Sequence, residues 1–482
     1  MVVKTKANRQ AISATREDGK VLLPAEAQGQ TARETLTVEE RRARGRSIRT
    51  MVPRSSHAFW SAAPNRPDPI ALLEKQETTR LPDLIPIRHA RMRVSPFAFF
   101  RGSAIVMAED LSRTPTTGFQ AQLCGDAHVA NFGLYASPER NLLFDVNDFD
   151  ETLRGPWEWD IKRLAASVFI AGRGNGFSVS GCRDATLAAV RSYRLHMADF
   201  ADMRYLEVWY SRVAADDLLD VIQDKRIRKR AQQQVGKIRQ RNNLQAFSRL
   251  TELVSGRRII TDDPPLVMRI TTDDMEAVLR QVYEEYLNTL RGAQAHLLGR
   301  YQITDFARKV VGVGSVGTHC YILLLTGRDT NDPLFLQAKE AAPSVLESYL
   351  PKSGFAHHGQ RVVVGQELMQ AASDIALGWV RGPEGRDFYL RQLRDMKGSA
   401  EIENLRPLQL ALWAEACGWA LARAHARSGD ALQIAAYLGT SDAFDRAIAT
   451  FAEAYADQNE RDYKAFIAAI KAGRIVAASA GT

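Results

Sequence analysis

The stretch CGDAHVANFGLYASPERNLLFDVNDFDE, residues 124–151, concentrates polar side chains that are costly to bring together. The rest of the segment is typical of two short strands joined by a turn. Six of its acidic, amide and imidazole side chains fall within 25 positions: Asp126, His128, Asn131, Asp145, Asp148 and Asp150. Carboxylates this close repel one another unless a positive group lies among them. A divalent cation is the simplest such group, so the segment predicts a metal-dependent site.

The spacing of these residues indicates which chemistry the cation serves. Asp126 and Asn131 form a D-x-x-x-x-N pattern in a loop, and Asp148 follows an apolar strand. In phosphoryl transfer from a nucleotide, one carboxylate orients or deprotonates the attacking hydroxyl, while an amide and a second carboxylate hold Mg²⁺ against the phosphates. Because Mg²⁺ keeps several waters, two protein ligands are enough. We expect Asp126 to be the base, and Asn131 and Asp148 to be metal ligands.

Two further carboxylates in the segment are candidates for additional ligands. Alternation along a strand puts Asp145 and Asp148 on opposite faces, whereas Asp150 shares the face of Asp148 if the strand continues. Asp150 is therefore the candidate for a second metal-binding role. The simpler alternative is that each Asp and Asn here is an ordinary turn residue. The joint spacing, and not any single residue, carries the prediction.

A second motif, GVGSVG, begins at residue 312. In a dinucleotide-binding fold the third glycine opens a helix, but here the strand-like THCYILLLTG follows. A strand, a glycine turn and a strand form the hairpin that kinases fold over the phosphates of ATP. Glycine lets backbone N–H groups approach phosphate oxygens without a Cβ in the way. We expect a nucleotide to contact this turn through Gly312, Gly314, Ser315 and Gly317.

The β-branched region around this turn predicts three strands, at 307–315, 318–326 and 333–340. Lys339 stands alone in the third, apolar strand, where an unpaired ammonium is costly. It forms either a salt bridge at the sheet surface or the pair with the α- and β-phosphates of a nucleotide. A phosphate-binding lysine is normally held by a glutamate on a helix. We expect Glu347 to be this glutamate, with Glu340 and Glu367 as alternatives.

The segment GDAHVANFG resembles the catalytic loop HGDxHxxN of aminoglycoside and choline phosphotransferases, which share the protein-kinase fold. Cys124 stands where that pattern begins with histidine, whereas Gly125, Asp126, His128 and Asn131 match it. The resemblance adds His128 to the catalytic residues. NDFDE is similar to the metal-binding motif of those enzymes, and WEWDIKRLA is similar to their next helix, whose aspartate, here Asp160, braces the catalytic loop.

The motifs occur in the reverse of the usual kinase order, because the catalytic loop precedes the glycine turn and the lysine strand. GWALARAHARSGD, near the C-terminus, resembles the helix that directly precedes the catalytic loop in aminoglycoside-type enzymes. We therefore expect an α+β, two-lobed, protein-kinase-like fold that is circularly permuted, which is tolerable where chain termini lie close together. The expected parts are a basic mobile arm at 1–55, a helical lobe from 56–300 plus 396–482, and a small β-rich lobe at 301–395.

The whole string also resembles one bacterial family, the domain of unknown function 2252. The resemblance spans about residues 50–440 and implies kinase-like ancestry without a substrate. It is carried by the motifs SPFAFFRG, GDAHVANFG, NDFDE, WEWDIKRLA, GVGSVGT, LQAKEA, YLRQLRDMKGS and ARAHARSGD.

The composition of the chain limits its expected cellular location and its expected partners. The 482 residues carry a net charge of +8, four scattered cysteines without a CxxC pair, and no apolar run long enough to span a bilayer. We expect a cytoplasmic protein that does not bind membranes. The basic stretch 224–241 is more simply explained as a solvated helix face than as a nucleic-acid site, so nucleic acid is not an expected partner.

The predicted function is an ATP- and Mg²⁺-dependent phosphotransferase acting on a hydroxyl group of a small molecule. Transfer of AMP by the same site, and nucleotide binding without turnover, are the alternatives. The sequence does not indicate the acceptor or the oligomeric state, because acceptor pockets are built from variable elements.

Overall fold

The computed structural model describes residues 36–241, 243–255, 257–270, 273–393 and 396–479, with the side chains of 243–246 and 273–277 left out. Seventeen α-helices lie within these ranges. They are α1 Val38–Ser47, α2 Pro69–Glu77, α3 Ile85–Met92, α4 Pro96–Gly102, α5 Ala104–Leu111, α6 Glu158–Gly174, α7 Val179–Asp202, α8 Tyr205–Tyr210, α9 Ala215–Asp220, α10 Lys225–Arg239, α11 Asn243–Leu250, α12 Asp273–Leu287, α13 Gly292–Leu298, α14 His358–Met369, α15 Pro407–Ser428, α16 Ala431–Leu438 and α17 Ala443–Lys471.

The helical core forms where the long amphipathic helices bury their apolar faces against one another. Helices α6, α7, α15 and α17 pack along each other. The apolar side chains of Ile161, Leu164 and Val168 on α6 are buried, and so are those of Phe444, Ile448, Phe451 and Tyr455 on α17. Trp157, directly before α6, stacks on Tyr193 of α7 with ring centroids 5.6 Å apart. Burial of such aromatic side chains contributes strongly to stability, so this core fixes the loops that precede α6.

The strands form four small or medium sheets within the described residues. They are β1 Gln120–Leu123, β2 Phe132–Ala136, β3 Leu142–Val146, β4 Leu153–Pro156, β5 Val213–Ala214, β6 Thr251–Val254, β7 Arg257–Ile260, β8 Val267–Arg269, β9 Gln302–Lys309, β10 Cys320–Thr326, β11 Pro333–Glu340, β12 Gly378–Arg381 and β13 Asp387–Gln392. The mixture of helices and sheets confirms the α+β class.

The largest sheet has six antiparallel strands in the order β12-β13-β11-β10-β9-β8. Strands β9 and β10 form the expected hairpin around the glycine turn, and β11 has the predicted limits. The predicted limits 307–315 for the first strand are wrong, since β9 ends at Lys309 and the turn occupies 310–319. The sheet also takes in β8, so it begins before the boundary expected at residue 301.

The two faces of this sheet have different partners. On one face, leucines such as Leu336 pack under Tyr283 and Tyr286 of α12. Along α12, Tyr286 is buried and Val278 is exposed, while the side chain of Met275 lies outside the described residues. Near one end of the other face, Phe335 packs with Phe247 and Ile260. Alternation along β11 puts Lys339 on the same face as Phe335.

The expected N-terminal arm is ordered from residue 37 onward, and residues 1–35 lie outside the described residues. Thr37 and Glu40 form a capping box that starts α1. Helix α1 packs against α16, and Arg41 donates to Asp430 at 2.8 Å. Helix α1 therefore belongs to the packed body of the chain.

None of the helices within the described residues is long and apolar enough to pass through a bilayer.

Candidate functional site

Lys339 at the end of β11 faces two carboxylates of the segment quoted first. Its Nζ lies 2.6 Å from Asp150 Oδ2 and 3.3 Å from Asp148 Oδ2. The lysine side chain is 2% exposed, whereas 39% of Asp148 and 29% of Asp150 remain exposed. Tyr389 on the neighbouring strand donates its hydroxyl to Asp150 Oδ1 at 2.6 Å. The sheet and the acidic segment thus meet at a charged cluster that is open on its carboxylate side.

Charge explains how this cluster is stabilised. Burial raises the pKa of Asp148, but Lys339, Arg391 and Lys397 outweigh burial and hold the pKa well below its usual range. Burial and the nearby Asp148 raise the pKa of Asp150. Burial lowers the pKa of Lys339, yet the two carboxylates outweigh it and raise the pKa well above the ordinary value. Asp148 is therefore the carboxylate that stays ionised most readily.

Asp126 lies in the loop after β1 and is held by an arginine that sequence reasoning missed. Arg163 of α6 donates from Nε to Asp126 Oδ1 at 2.8 Å, and its Nη2 forms an ion pair with the same oxygen at 2.7 Å. The guanidinium also lies 3.8 Å over the ring of Phe100 and donates to its carbonyl. Asp126 Oδ2 is 3.8 Å from His128 Nε2, beyond hydrogen-bond distance. Oδ2 is therefore the oxygen of Asp126 that remains for a substrate proton.

His128 is buried beside this carboxylate. Burial lowers the pKa of His128 to about 4, an effect that Arg101 and Arg163 reinforce and Asp126 opposes. Its Nδ1 is buried without a hydrogen-bond partner among the described residues. The imidazole is therefore neutral at physiological pH and supplies a hydrogen-bonding group, not a cation, to the loop.

Asn131 connects the loop of Asp126 to the segment of Asp148. Its Nδ2 donates to the carbonyl of Asp126 at 3.1 Å and to the carbonyl of Asp148 at 3.0 Å. Both amide hydrogens are used in this way, so Oδ1 is the atom left to act as a ligand. The expected proximity of Asn131, Asp126 and Asp148 is present in the structure.

Asp160 holds the loop of Asp126 in the way that the resemblance to the phosphotransferases implies. Its carboxylate accepts from the backbone N–H groups of Cys124 at 2.8 Å and Gly125 at 3.1 Å. His425 of α15 lies 3.4 Å from the same carboxylate and contacts the hydroxyl of Tyr193 at 2.9 Å. These bonds link the loop to the helical core, so Asp160 has a positioning role.

The glycine turn between β9 and β10 lies against α3 and the residues before it. Arg91 donates to the carbonyl of Gly312 at 2.5 Å, and the backbone N–H of Leu81 donates to the carbonyl of Gly317 at 2.7 Å. Both glycines have positive φ, at 68° and 92°. No described residue accepts a hydrogen bond from the N–H groups of Gly312, Gly314, Ser315 and Gly317. The turn is held through its carbonyls, which leaves those donors for a ligand.

Gly314 of the glycine turn lies close to Arg101. A Cβ on Gly314 would lie 3.3 Å from the carbonyl oxygen of Arg101. Burial lowers the pKa of the Arg101 guanidinium, and Glu403 and Asp126 partly offset that effect. Arg101 therefore brings positive charge within electrostatic reach of Asp126, on the side where the glycine turn approaches.

The predicted glutamate partner of Lys339 is wrong. Glu347 lies in a short 3₁₀-helix, Val345–Ser348, and its Oε1 is buried without a hydrogen-bond partner among the described residues. Glu340 pairs with Arg386, and Glu367 pairs with Arg291. The carboxylates of the acidic segment take the place that the sequence assigned to a helix glutamate.

Helix α14, which follows the lysine strand, instead contributes an arginine. Arg361 is fully buried and donates to the carbonyls of Asp150 and Ala342, each at 2.9 Å, and to that of Thr152. The sequence feature that could have indicated this role is an isolated arginine in the apolar stretch RVVVG. The sequence does not show its partners in the acidic segment, because they lie about two hundred residues away. Arg361 fixes the backbone of the acidic segment against the six-stranded sheet.

A cavity of about 240 Å³ borders the acidic segment. Its walls include Asn147, Gln337, Arg391 and Lys397. Arg391 donates to the carbonyl of Asn147 at 3.1 Å and to Gln337 Oε1 at 3.3 Å. Sequence reasoning did not single out these residues, because only the pairing of β11 with β13 brings them together.

The described side chains offer a small set of ligands for the metal expected from the sequence. Within the ranges that the structure describes, no group of three or more His, Cys, Asp and Glu side chains is arranged to hold a metal ion. Asp148, with its exposed carboxylate, and Asn131, with its remaining Oδ1, fit the smaller set of oxygen ligands that suffices for Mg²⁺.

Comparison with known proteins gives one match. No curated protein and no solved structure matches the chain. Residues 80–469 match the model of the family described as "Uncharacterized protein conserved in bacteria (DUF2252)", which is more than half of the chain. The protein therefore belongs to this bacterial DUF2252 family.

Proposed function

We propose that this protein is an ATP- and Mg²⁺-dependent phosphotransferase with a circularly permuted, kinase-like fold, acting on a hydroxyl group of a small molecule. The observation that carries the proposal is the approach of Lys339 to Asp148 and Asp150 from a segment 189 to 191 residues away. Triphosphate binding needs a cation and metal-binding carboxylates at one place, and this chain brings both there.

The order of elements supports the kinase-like part of the proposal. A hairpin with a glycine turn, a strand with a buried lysine and a helix follow one another as β9, β10, β11 and α14. The loop of Asp126, the β2–β3 hairpin and Asp148 follow one another in the second part. In an unpermuted kinase the first part precedes the second. The helix that corresponds to α15 would then lie between the two parts and lead directly into the loop of Asp126.

The residues then divide the chemistry among them. The N–H groups of the glycine turn and the ammonium of Lys339 bind the phosphates, and Asp148 with Asn131 Oδ1 would hold Mg²⁺. When bound, Mg²⁺ neutralises charge on the phosphates and orients them. Asp126 Oδ2 accepts the proton of the acceptor hydroxyl, whose oxygen attacks the γ-phosphorus while the bond to the β–γ bridging oxygen breaks and ADP leaves.

Arg163 gives Asp126 its orientation for this role. Arg163 Nε donates to Oδ1 and Nη2 forms an ion pair with the same oxygen, so the guanidinium holds the carboxylate through Oδ1 and leaves Oδ2 uncontacted by Arg163. A fixed base within reach of the acceptor contributes about 10²–10⁴ to the rate. Arg163 is a positioning residue, because it acts through Asp126.

The test is product analysis with ATP labelled at the γ- or the α-phosphate, in the presence of Mg²⁺ and a panel of hydroxyl compounds. The proposal predicts that label from the γ position alone appears on an acceptor, or on water when no acceptor is present. Label from the α position on an acceptor would indicate AMP transfer instead. Binding of ATP without release of either label over many hours would leave a nucleotide-binding protein without turnover.

A further inference from the structure

Arg101, near the end of α4, lies between the glycine turn and the loop of Asp126. Its carbonyl oxygen is the atom nearest to an ideal Cβ on Gly314, at 3.3 Å, so the glycine turn rests against this residue. The carbonyl of Phe100, directly before it, accepts a hydrogen bond at 2.7 Å from Arg163, which also holds Asp126. The backbone of Arg101 therefore contacts one half of the site and is one residue from the support of the other.

The guanidinium of Arg101 is not engaged by the protein. Arg101 is half-buried, its guanidinium lies 5.9 Å from the ring centre of Phe97, and its side chain makes no hydrogen bond or ion pair with any described residue. Burial lowers the pKa of Arg101, and Glu403 and Asp126 offset only part of that effect. Asp126 is already in an ion pair with Arg163 at 2.7 Å, and Glu403 is exposed. The N–H donors of Arg101 are therefore available to a ligand.

The other groups around the loop do not supply a free cation. Lys339 is paired with two carboxylates of the acidic segment, and Arg163 is committed to Asp126. His128 is neutral at physiological pH, because burial lowers its pKa to about 4 and Arg101 adds to that effect. Among the described residues, Arg101 therefore supplies the positive charge that this loop lacks.

We propose that Arg101 is a catalytic residue, which donates hydrogen bonds to the non-bridging oxygens of the γ-phosphoryl group during its transfer. This inference rests on the proposed function. In the step, the acceptor oxygen bonds to phosphorus, the bond to the β–γ bridging oxygen breaks with its electron pair going to ADP, and the acceptor proton passes to Asp126 Oδ2. Negative charge is then spread over the three equatorial oxygens. The planar fork of a guanidinium matches two such oxygens at once, and Arg101 forms no covalent bond.

A transition-state analogue tests this contact without knowledge of the acceptor. Isothermal titration measures the affinity for Mg-ADP with and without aluminium fluoride, which mimics the phosphoryl group in transfer. The variants are Arg101→Met and, as the control, Arg191→Met at an exposed position on α7. Aluminium fluoride should tighten Mg-ADP binding at least about 10²-fold in the wild type and in the control, but not in Arg101→Met. Mg-ADP alone should bind all three proteins within about threefold.

The rate of phosphoryl release from γ-labelled ATP, to water or to an acceptor, is the second measurement. The kcat of Arg101→Met should fall at least about 10³-fold, with the KM for ATP within about threefold of the wild type. Arg101→Lys restores the charge without the planar fork and should recover part of the lost kcat. Because this variant keeps a cation at the position, it also separates the loss of the contact from a loss of folding.

The inference is overturned if Arg101→Met keeps either the gain from aluminium fluoride or the kcat of the wild type. A raised KM at unchanged kcat would overturn it as well, since Arg101 would then bind a substrate equally in the ground state and the transition state. If the wild type itself releases no γ-label and gains no affinity from aluminium fluoride, the proposed function fails and the inference fails with it. The behaviour of the wild type therefore tells the two failures apart.

Discussion

Lys339 Nζ lies 2.6 Å from Asp150 Oδ2, although 189 residues separate the two in sequence. The ammonium is almost completely buried and has a second carboxylate, Asp148, at 3.3 Å. An ion cluster of this kind is maintained only if both segments are held rigidly. Arg361 provides that rigidity, because it donates to the carbonyl of Asp150 from the helix that follows the lysine strand.

Removal of the ammonium should therefore destabilise the fold. We expect Lys339→Met to lower the free energy of unfolding by about 3 kcal/mol, because two partly buried carboxylates lose their counter-ion. Urea denaturation at pH 7 measures the change, and Lys352→Met at an exposed position is the control. A loss as small as that of the control would show that the cluster does not stabilise the native state.

The hydrogen bonds of Asp160 to the loop of Asp126 predict a different pattern. Asp160→Asn replaces one accepting oxygen with a donor, which faces the N–H groups of Cys124 and Gly125. We expect a loss of about 2 kcal/mol in stability and a loss of turnover larger than the loss of nucleotide affinity. Asp184→Asn, at an exposed position on α7, is the matched control. Unchanged turnover in Asp160→Asn would contradict the positioning role.

The glycine turn offers a test through backbone geometry. Gly317 has a φ of 92°, and an added Cβ would lie 3.1 Å from the Cβ of Arg80. Gly317→Ala should therefore lower stability by about 1–2 kcal/mol and weaken ATP binding. The comparison is Gly236→Ala in α10, where a Cβ meets nothing within 4 Å and the helix gains about 0.5–1 kcal/mol. Thermal melts of both variants with and without Mg-ATP distinguish strain from lost binding.

A buried lysine in the helical core predicts a dependence of stability on pH. Burial lowers the pKa of Lys162 to about 7, with Glu158 opposing, and Nζ has no hydrogen-bond partner in the described part of the chain. Because the pKa in the folded state lies below the ordinary value of 10.5, the unfolded state binds more protons between these values. The free energy of unfolding therefore rises with pH across this interval, and the cost is complete below about pH 7.

The variant Lys162→Met removes this cost. We expect it to be more stable than the wild type by about 1–3 kcal/mol at pH 7, with a gain that shrinks toward pH 10. Chemical denaturation at pH 6, 7, 8.5 and 10 follows the difference. A gain that does not change with pH would mean that packing, and not ionisation, sets the effect of Lys162.

Local patterns in the sequence predicted the elements that depend on neighbouring residues. The strand containing Lys339 has the expected limits because its apolar run ends at Glu340, and the hairpin around Gly312 forms because glycines supply the positive φ values. Strand β9 was misplaced because Asp305 lies inside it. That carboxylate is paired with Arg269 of β8, a partner that periodicity does not reveal.

Contacts between residues that are far apart in sequence could not be predicted from the sequence alone. Glu347 was the expected partner of Lys339. Its segment forms a 3₁₀-helix, and Asp150 of the acidic segment forms the ion pair with Lys339 instead. Arg163 looked like an ordinary helix residue until the packing of α6 placed it on Asp126. Each of these contacts depends on how segments far apart in sequence dock.

Titration of Mg-ATP into the wild type, Asp126→Asn and Asp148→Ala by isothermal calorimetry tests the central claim most directly. The account predicts that Asp126→Asn binds Mg-ATP within about threefold of the wild type and loses at least about 10² of its turnover, whereas Asp148→Ala loses at least about tenfold in affinity. Equal loss of affinity in both variants, or affinity unchanged in Asp148→Ala, would contradict the division of roles between the base and the metal ligand.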